Sequence, residues 1–178
     1  YRDSAGTGLC FCDISTGEVS ATAFSGRDWQ EHLFNELGRF APREAVLDTA
    51  AWEDVELREF LRLRLDCRCE LGREEDFAPD RAMETARKQF RTGLEDLPGE
   101  AEAAVRACGG LLIYLYETQK TDLSHLTAFR YYTGGEFMEL DLTARRNLEL
   151  TETMRGKEKK GSLLWVLDKT RTAMGHRL

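Results

Sequence analysis

The sequence predicts an α/β protein: a mixed sheet with flanking helices, then a β-hairpin and the first helices of a mainly α segment. Three observations predict it. Strand-forming runs stand at "GLCFCDI", "EVSATAF" and "EAVLD". Helically spaced apolar residues alternate with them in "DWQEHLFNELGRF", "APDRAMETARKQF" and Glu100–Gln119. Past Leu126 a turn-rich stretch leads into three further helical patterns. Alternation of strands and helices is the order of a sheet with helices packed on it.

In "GLCFCDI" (Gly8–Ile14) the apolar run is nearly continuous, as in a strand buried on both faces. "STG" makes the turn, and "EVSATAF" puts Val19, Ala21 and Ala23 on one face and Ser20, Thr22 and Phe24 on the other. Trp29, Leu33 and Leu37, four apart with Phe34 beside them, form the apolar stripe of a helix. Asp28 is its expected N-cap, Gly38 its expected close, and Pro42 punctuates before the short strand "EAVLD". "AWEDVELREFLRLRLDCRCELG" starts as helix and ends as strand at "CRCEL". Pro79 and Asp80 open the second helix. The third carries Val105, Leu112, Leu115 and Tyr116 on one broad face, where Gly109 and Gly110 permit close packing.

A domain boundary is expected near Leu126, giving domains 1–126 and 127–178. "FRYYTGGEFMELD" (Phe129–Asp141) reads as a hairpin turning at Thr133–Gly135. Asp141 or Thr143 would cap a helix that carries Arg145 to Met154. Arg145 and Arg146 project about 100° apart there, so only one can share a buried face with Leu148. "GKEKKG" is a charged loop, Ser162 caps "LLWVLDKT", and Thr172 caps "AMGHRL".

Composition narrows the function. Hydrophobic residues make up 42% of the 178, enough for a core. The net charge of −7 is uneven: residues 1–140 carry 16 Lys and Arg against 27 Asp and Glu, residues 141–178 nine against five. An acidic body argues against a nucleic-acid surface on residues 1–140. The longest apolar run, Gly109–Tyr116, is too short to span a membrane, and no secretory signal is visible. The expectation is a soluble, cytoplasmic protein, and the missing initial Met suggests a piece of a longer one.

The five cysteines form two C-x-C pairs, Cys10–Cys12 and Cys67–Cys69, with Cys108 apart. On adjacent strands two such pairs offer four thiolates to zinc, but strand cysteines more often serve as small buried hydrophobes. His32, His125 and His176 lack ligand spacing. No G-x-x-x-x-G-K-[ST] phosphate loop occurs, and "RGKEKKGS" (Arg155–Ser162) has the wrong spacing. No catalytic, cofactor or metal site is therefore expected in this chain.

The segment "FMELDLTARRNLELTETMRGKEKKGSLLWVLDKTRTAMGHRL" (Phe137–Leu178) closely resembles the start of the core (lever) domain of the bacterial MutS family of DNA mismatch-repair proteins. "GLCFCDISTGEVSATAF" and "LLIYLYETQKTDLSHL" resemble the first hairpin and last helix of that family's connector domain. The resemblance implies an RNase H-like connector. It also implies a homodimeric bacterial parent that hydrolyses ATP with Mg, binds mismatched double-stranded DNA through other domains, and contacts MutL. It places Arg87, Lys88 and Gln89 on the partner surface. Arg145, Arg146 and Asn147 fall where connector meets core, in a position to relay state. Phe137-Met138-Glu139 spells the family's mismatch-reading Phe-x-Glu, but in the core region, so the match reads as coincidence. The family's core continues past "TAMGHRL", which should leave Leu163, Leu164 and Leu167 short of neighbours. A second reading is a metal-dependent RNase H-like nuclease centred on Asp13 and Asp48, because "CDISTGE" matches the opening hairpin of such enzymes.

Overall fold

The computed structural model describes residues 1–4, 6–119, 122–133, 140, 142–172 and 175, and divides into two compact units, Tyr1–Glu136 and Phe137–Leu178. The first is mixed α/β, as expected. Strands β1 (Thr7–Asp13) and β2 (Glu18–Phe24) form the antiparallel hairpin, pairing Thr7 with Phe24 and Asp13 with Glu18. Helix α1 (Trp29–Phe40) leads to β3 (Glu44–Leu47), and the short helices α2 (Thr49–Glu53) and α3 (Val55–Glu59) follow. α3 widens into a π-turn at Phe60–Arg64 before β4 (Arg68–Leu71), which pairs parallel with β3. Helices α4 (Pro79–Gln89) and α5 (Glu102–Thr118) come next, and β5 (Arg130–Tyr131) adds parallel to β2. The sheets run β1-β2-β5 and β3-β4.

Two cores form. The first joins Val19 and Ala21 of β2 to Val105, Cys108, Leu112 and Leu115 of α5 and to Leu123, Leu126 and Phe129. The second joins Leu33 and Leu37 of α1 to Leu47, Leu57, Leu61 and Cys67. β1 serves both, with Cys10 and Cys12 packing against the first and Leu9 and Phe11 against the second. That two-sided burial explains its nearly continuous apolar sequence. At Gly109 and Gly110 an added Cβ would overlap Ala82 and the Phe77 ring, so the glycine pair sets how closely α5 meets its neighbours.

α1 departs from expectation at both ends. Asp28 occupies the N-cap position, but its side chain makes no capping hydrogen bond. Gly38 does not close the helix, which runs to Phe40 and stops at Ala41, in the left-handed region at φ 44°. The extra residues bring the Phe40 ring onto Phe11 at 3.9 Å between centroids. Phe129 and Tyr131, read from sequence as the first arm of a separate hairpin, belong to the first unit. The turn and return arm, including Phe137-Met138-Glu139, lie outside the described residues.

In the second unit, α6 (Leu142–Asn147) is shorter than the expected helix to Met154. Glu149 adopts φ 47°, and its carboxylate accepts from the Met154 N–H at 2.7 Å, diverting the chain into a turn. Leu148 is 57% exposed, so the buried helical face expected there does not form. α7 (Leu163–Leu167) is capped as expected: Ser162 Oγ accepts from Trp165 N–H at 3.2 Å. The same hydroxyl donates to Lys159 O at 2.7 Å, and Ser162 is fully buried. Ser162→Ala should therefore cost about 1–2 kcal/mol of local stability, read by amide exchange across Trp165 and Val166. Leu163, Leu164 and Leu167 are exposed, as anticipated. Gly175 N–H donates to Thr172 Oγ1 at 3.0 Å, and the rest of "AMGHRL" lies outside the described residues.

Candidate functional site

α4 begins at Pro79, whose fixed φ suits the first helical position, and its small residues Ala82 and Ala86 lie fully buried. The opposite face carries Asp80, Arg81, Glu84, Arg87 and Lys88, all exposed. Lys88 Nζ pairs with Glu84 at 2.6 Å one turn earlier, with the lysine side chain 73% exposed. The pair holds the Glu84 carboxyl below its usual range. Arg87 and Lys88 thus stand together in solvent at the C-terminal end of α4, with exposed Arg91 just beyond.

Gln89 does something the sequence did not announce. Its amide nitrogen donates to Leu123 O and Leu126 O, both at 2.8 Å, and its carbonyl accepts from Tyr116 Oη at 2.5 Å. The side chain ties α4 to the end of α5 and to the loop after it. Gln89→Ala would leave two carbonyls without that donor and should cost about 2 kcal/mol, read as a shift of the urea midpoint at constant slope.

In the second unit Arg145 is half-buried, while Arg146 and Asn147 are exposed. The backbone carbonyls of Arg145 and Arg146 accept from Leu150 and Glu149 in the turn that ends α6.

The nuclease reading fails on geometry. Asp13 Oδ1 accepts from Ser15 N–H (2.8 Å), Ser15 Oγ (2.6 Å) and Thr16 N–H (3.3 Å), the local turn bonding common for Asp before a hairpin turn. Asp48 is buried at the other end of β1, where its Oδ1 accepts from Arg2 N–H at 3.1 Å and lies 3.9 Å from the Tyr1 nitrogen. That nitrogen donates to Gly8 O, and five residues of strand, about 17 Å, separate Gly8 from Asp13. Two-metal hydrolysis needs ions about 4 Å apart held by converging carboxylates.

The C-x-C pairs fail as a zinc site for a similar reason, since Cys10 and Cys12 face the first core and Cys67 and Cys69 the second. Desolvation pushes the Cys12 and Cys67 thiols up to about 12, so they stay neutral. Among the described residues no group of three or more His, Cys, Asp and Glu is placed to hold a metal. His125 is spent on structure, its Nε2 2.7 Å from Ile14 O. Among the described residues, no helix is long and apolar enough to cross a membrane.

Two family models match this chain, MutS domain II over residues 1–127 and MutS domain III over residues 143–178. The chain is 40% identical over 178 residues to the DNA mismatch repair protein MutS of Ruminiclostridium cellulolyticum, covering all of this chain and 20% of that protein. Identity is 38% over 182 residues to the MutS of Alkaliphilus oremlandii, covering all of this chain and 21% of the relative. With the MutS of Acetivibrio thermocellus it is 36% over 177 residues, covering 99% and 20%. The chain thus spans about a fifth of the length of the curated relatives it matches. With domain II and domain III in order along one α/β-then-helical polypeptide, the chain belongs to the MutS family of DNA mismatch-repair proteins.

Proposed function

We propose that this chain is the connector, with the start of the core, of a cytoplasmic bacterial protein that recognises mismatched double-stranded DNA. In this reading the parent is a homodimer that hydrolyses ATP with Mg through a domain outside these residues, and the present piece is non-catalytic. The first unit, with the RNase H-like arrangement the family resemblance implies, carries state between the mismatch-binding and ATPase regions and docks MutL. Arg145, Arg146 and Asn147 serve that relay where connector passes into core.

One observation carries the docking assignment. Arg87 and Lys88 form an exposed basic end on a helix within an acidic stretch, residues 1–140 having 27 acidic against 16 basic side chains. A local reversal of sign of this kind steers an acidic partner surface and fixes its orientation. Gln89 acts behind them, holding the helix end in place through Leu123 and Leu126.

Titrating the chain with the ATPase domain of MutL tests the assignment. Arg87→Glu with Lys88→Glu should weaken binding by about tenfold or more and weaken its dependence on salt, while loss of the Glu84–Lys88 pair and the acidic charge at the helix C-terminus lower thermal stability slightly. Equal affinity in the double variant moves the interface elsewhere, and no binding by the unaltered chain refutes the docking role.

A further inference from the structure

β4 carries ladder hydrogen bonds on one side only. Arg68 N–H donates to Arg43 O and Gly72 N–H to Leu47 O, so alternate residues face β3. Cys69 and Leu71 turn their N–H and C=O the other way, where no strand pairs among the described residues. A basic run flanks this edge, residues 58–68 holding four arginines against two carboxylates. Arg58 and Arg62 lie within electrostatic range of the Cys69 thiol: burial pushes it up, and the Cys67 thiol, Arg58 and Arg62 pull it back. Arg58 stacks its guanidinium over Trp52 at 5.3 Å, yet its Nε is buried with no hydrogen-bond partner. Arg62 and Arg64 are exposed, and among the described residues no carboxylate pairs with either. Arg68, by contrast, is spent on Glu70 at 2.7 Å. Leu63 and Leu71 add apolar surface, 68% and 52% exposed. Arg62 and Arg64 ride on the π-turn, closed by Leu65 N–H to Phe60 O at 3.3 Å, a rare geometry that concentrates at functional sites. An open strand edge and a buried unpaired donor are both costs to a unit standing alone.

We propose that the open edge of β4 takes up an extended acidic segment of a partner protein, which pairs with Cys69 and Leu71 as an added strand and lays alternate carboxylates on Arg58 and Arg62.

Addition of a strand to an edge gains main-chain hydrogen bonds, while contacts at every second side chain select the sequence. The spacing fits. Residues two apart on an extended strand stand about 6.8 Å apart. Arg58 and Arg62, four residues apart on a helical segment, stand about 6 Å apart along its axis. A helical segment that connects two parallel strands runs back alongside them, so the two repeats lie side by side. Arg58 Nε then gains the acceptor it lacks. The segment therefore carries Asp or Glu at alternate positions, with β-branched residues between them. Charge disfavours other occupants. A second copy of this chain would bring Arg58, Arg62 and Arg64 against their own equivalents. Nucleic acid offers no alternating N–H and C=O groups, and a long polyanion would also meet the acidic surplus of residues 1–140. None of these residues belongs to the α4 surface, so the two docking assignments are tested separately.

The probe is a fluorescein-labelled peptide, acetyl-Val-Glu-Val-Glu-Val-Thr-amide, titrated into the whole chain by anisotropy while amide exchange is followed. It should bind and slow exchange at Cys69 and Leu71 by about tenfold or more at saturation. Arg68 and Glu70, already bonded to β3, should exchange unchanged, and their protection also verifies the fold of each variant. Arg62→Glu should weaken binding about tenfold, whereas Arg87→Glu with Lys88→Glu should leave it within about twofold. The same peptide methylated on every backbone nitrogen should not bind. No binding, binding indifferent to Arg62→Glu or to methylation, or equal loss in the α4 variant would overturn the proposal. So would concentration-dependent protection of Cys69 and Leu71 without peptide, which gives the edge to a second copy. Equal protection by a short oligothymidylate would give it to nucleic acid and overturn the proposal as well.

Discussion

Replacing Gly8 by valine should destabilise the first unit by about 4 kcal/mol or more, enough to unfold a marginal domain. The cause is a contact between two backbones. β1 crosses α5 so closely at Gly8 that an added Cβ would overlap the Ala103 carbonyl and the Ala104 nitrogen. Neither strand nor helix can yield alone, since Gly8 is held by the Tyr1 ladder and by Ala23 across the hairpin. Ala103 sits in the first turn of a 17-residue helix. Overpacking against flexible side chains costs about 1–3 kcal/mol, and rigid main chain leaves no cheap relaxation. Gly99→Ala is the matched control, because nothing lies within 4 Å of the Cβ it would add, and it should stay within about 0.5 kcal/mol. Urea unfolding of the two variants reads the difference directly. Equal midpoints would mean that β1 and α5 do not approach as closely as described.

The same close approach marks what sequence could and could not reveal. The amphipathic stripes of α1, α4 and α5 and the β1–β2 hairpin were legible because burial repeats at the helical or strand period. The end of α1 was not, since Gly38 looks like a stop while the residue that takes positive φ is Ala41. What extends the helix is the stacking of Phe40 on Phe11, a contact between residues far apart in the chain. α6 ends at Asn147 without Gly or Pro because Glu149 turns left-handed and spends its carboxylate on Met154, a local bond with no compositional signature. At the candidate site, exposure of Arg87 and Lys88 followed from the helical period. The Gln89 clamp did not, because its backbone partners stand 34 and 37 residues away. Asp13 and Asp48 looked like a pair only because strand order alone does not say which end of β1 each occupies.

Leu112→Ala and Leu61→Ala, one in each core, should each cost about 3 kcal/mol, and both should lower the same cooperative transition. Each side chain is fully buried, Leu112 against α4 and the β1–β2 sheet side, Leu61 among the α1 and β3 side chains. They share no partner, yet β1 threads both cores by alternate residues, Cys10 and Cys12 on one side and Leu9 and Phe11 on the other. A strand cannot lose one face and keep its pairing with β2 intact, so loss of either core should release the other. Fluorescence of Trp29 and Trp52, both packed on the second core, should therefore report the Leu112→Ala transition at the same urea concentration as far-ultraviolet circular dichroism. Two separated transitions would mean that the cores fold independently. A body that melts in halves could not transmit a displacement across itself, whereas a single transition is the mechanical behaviour a relay requires.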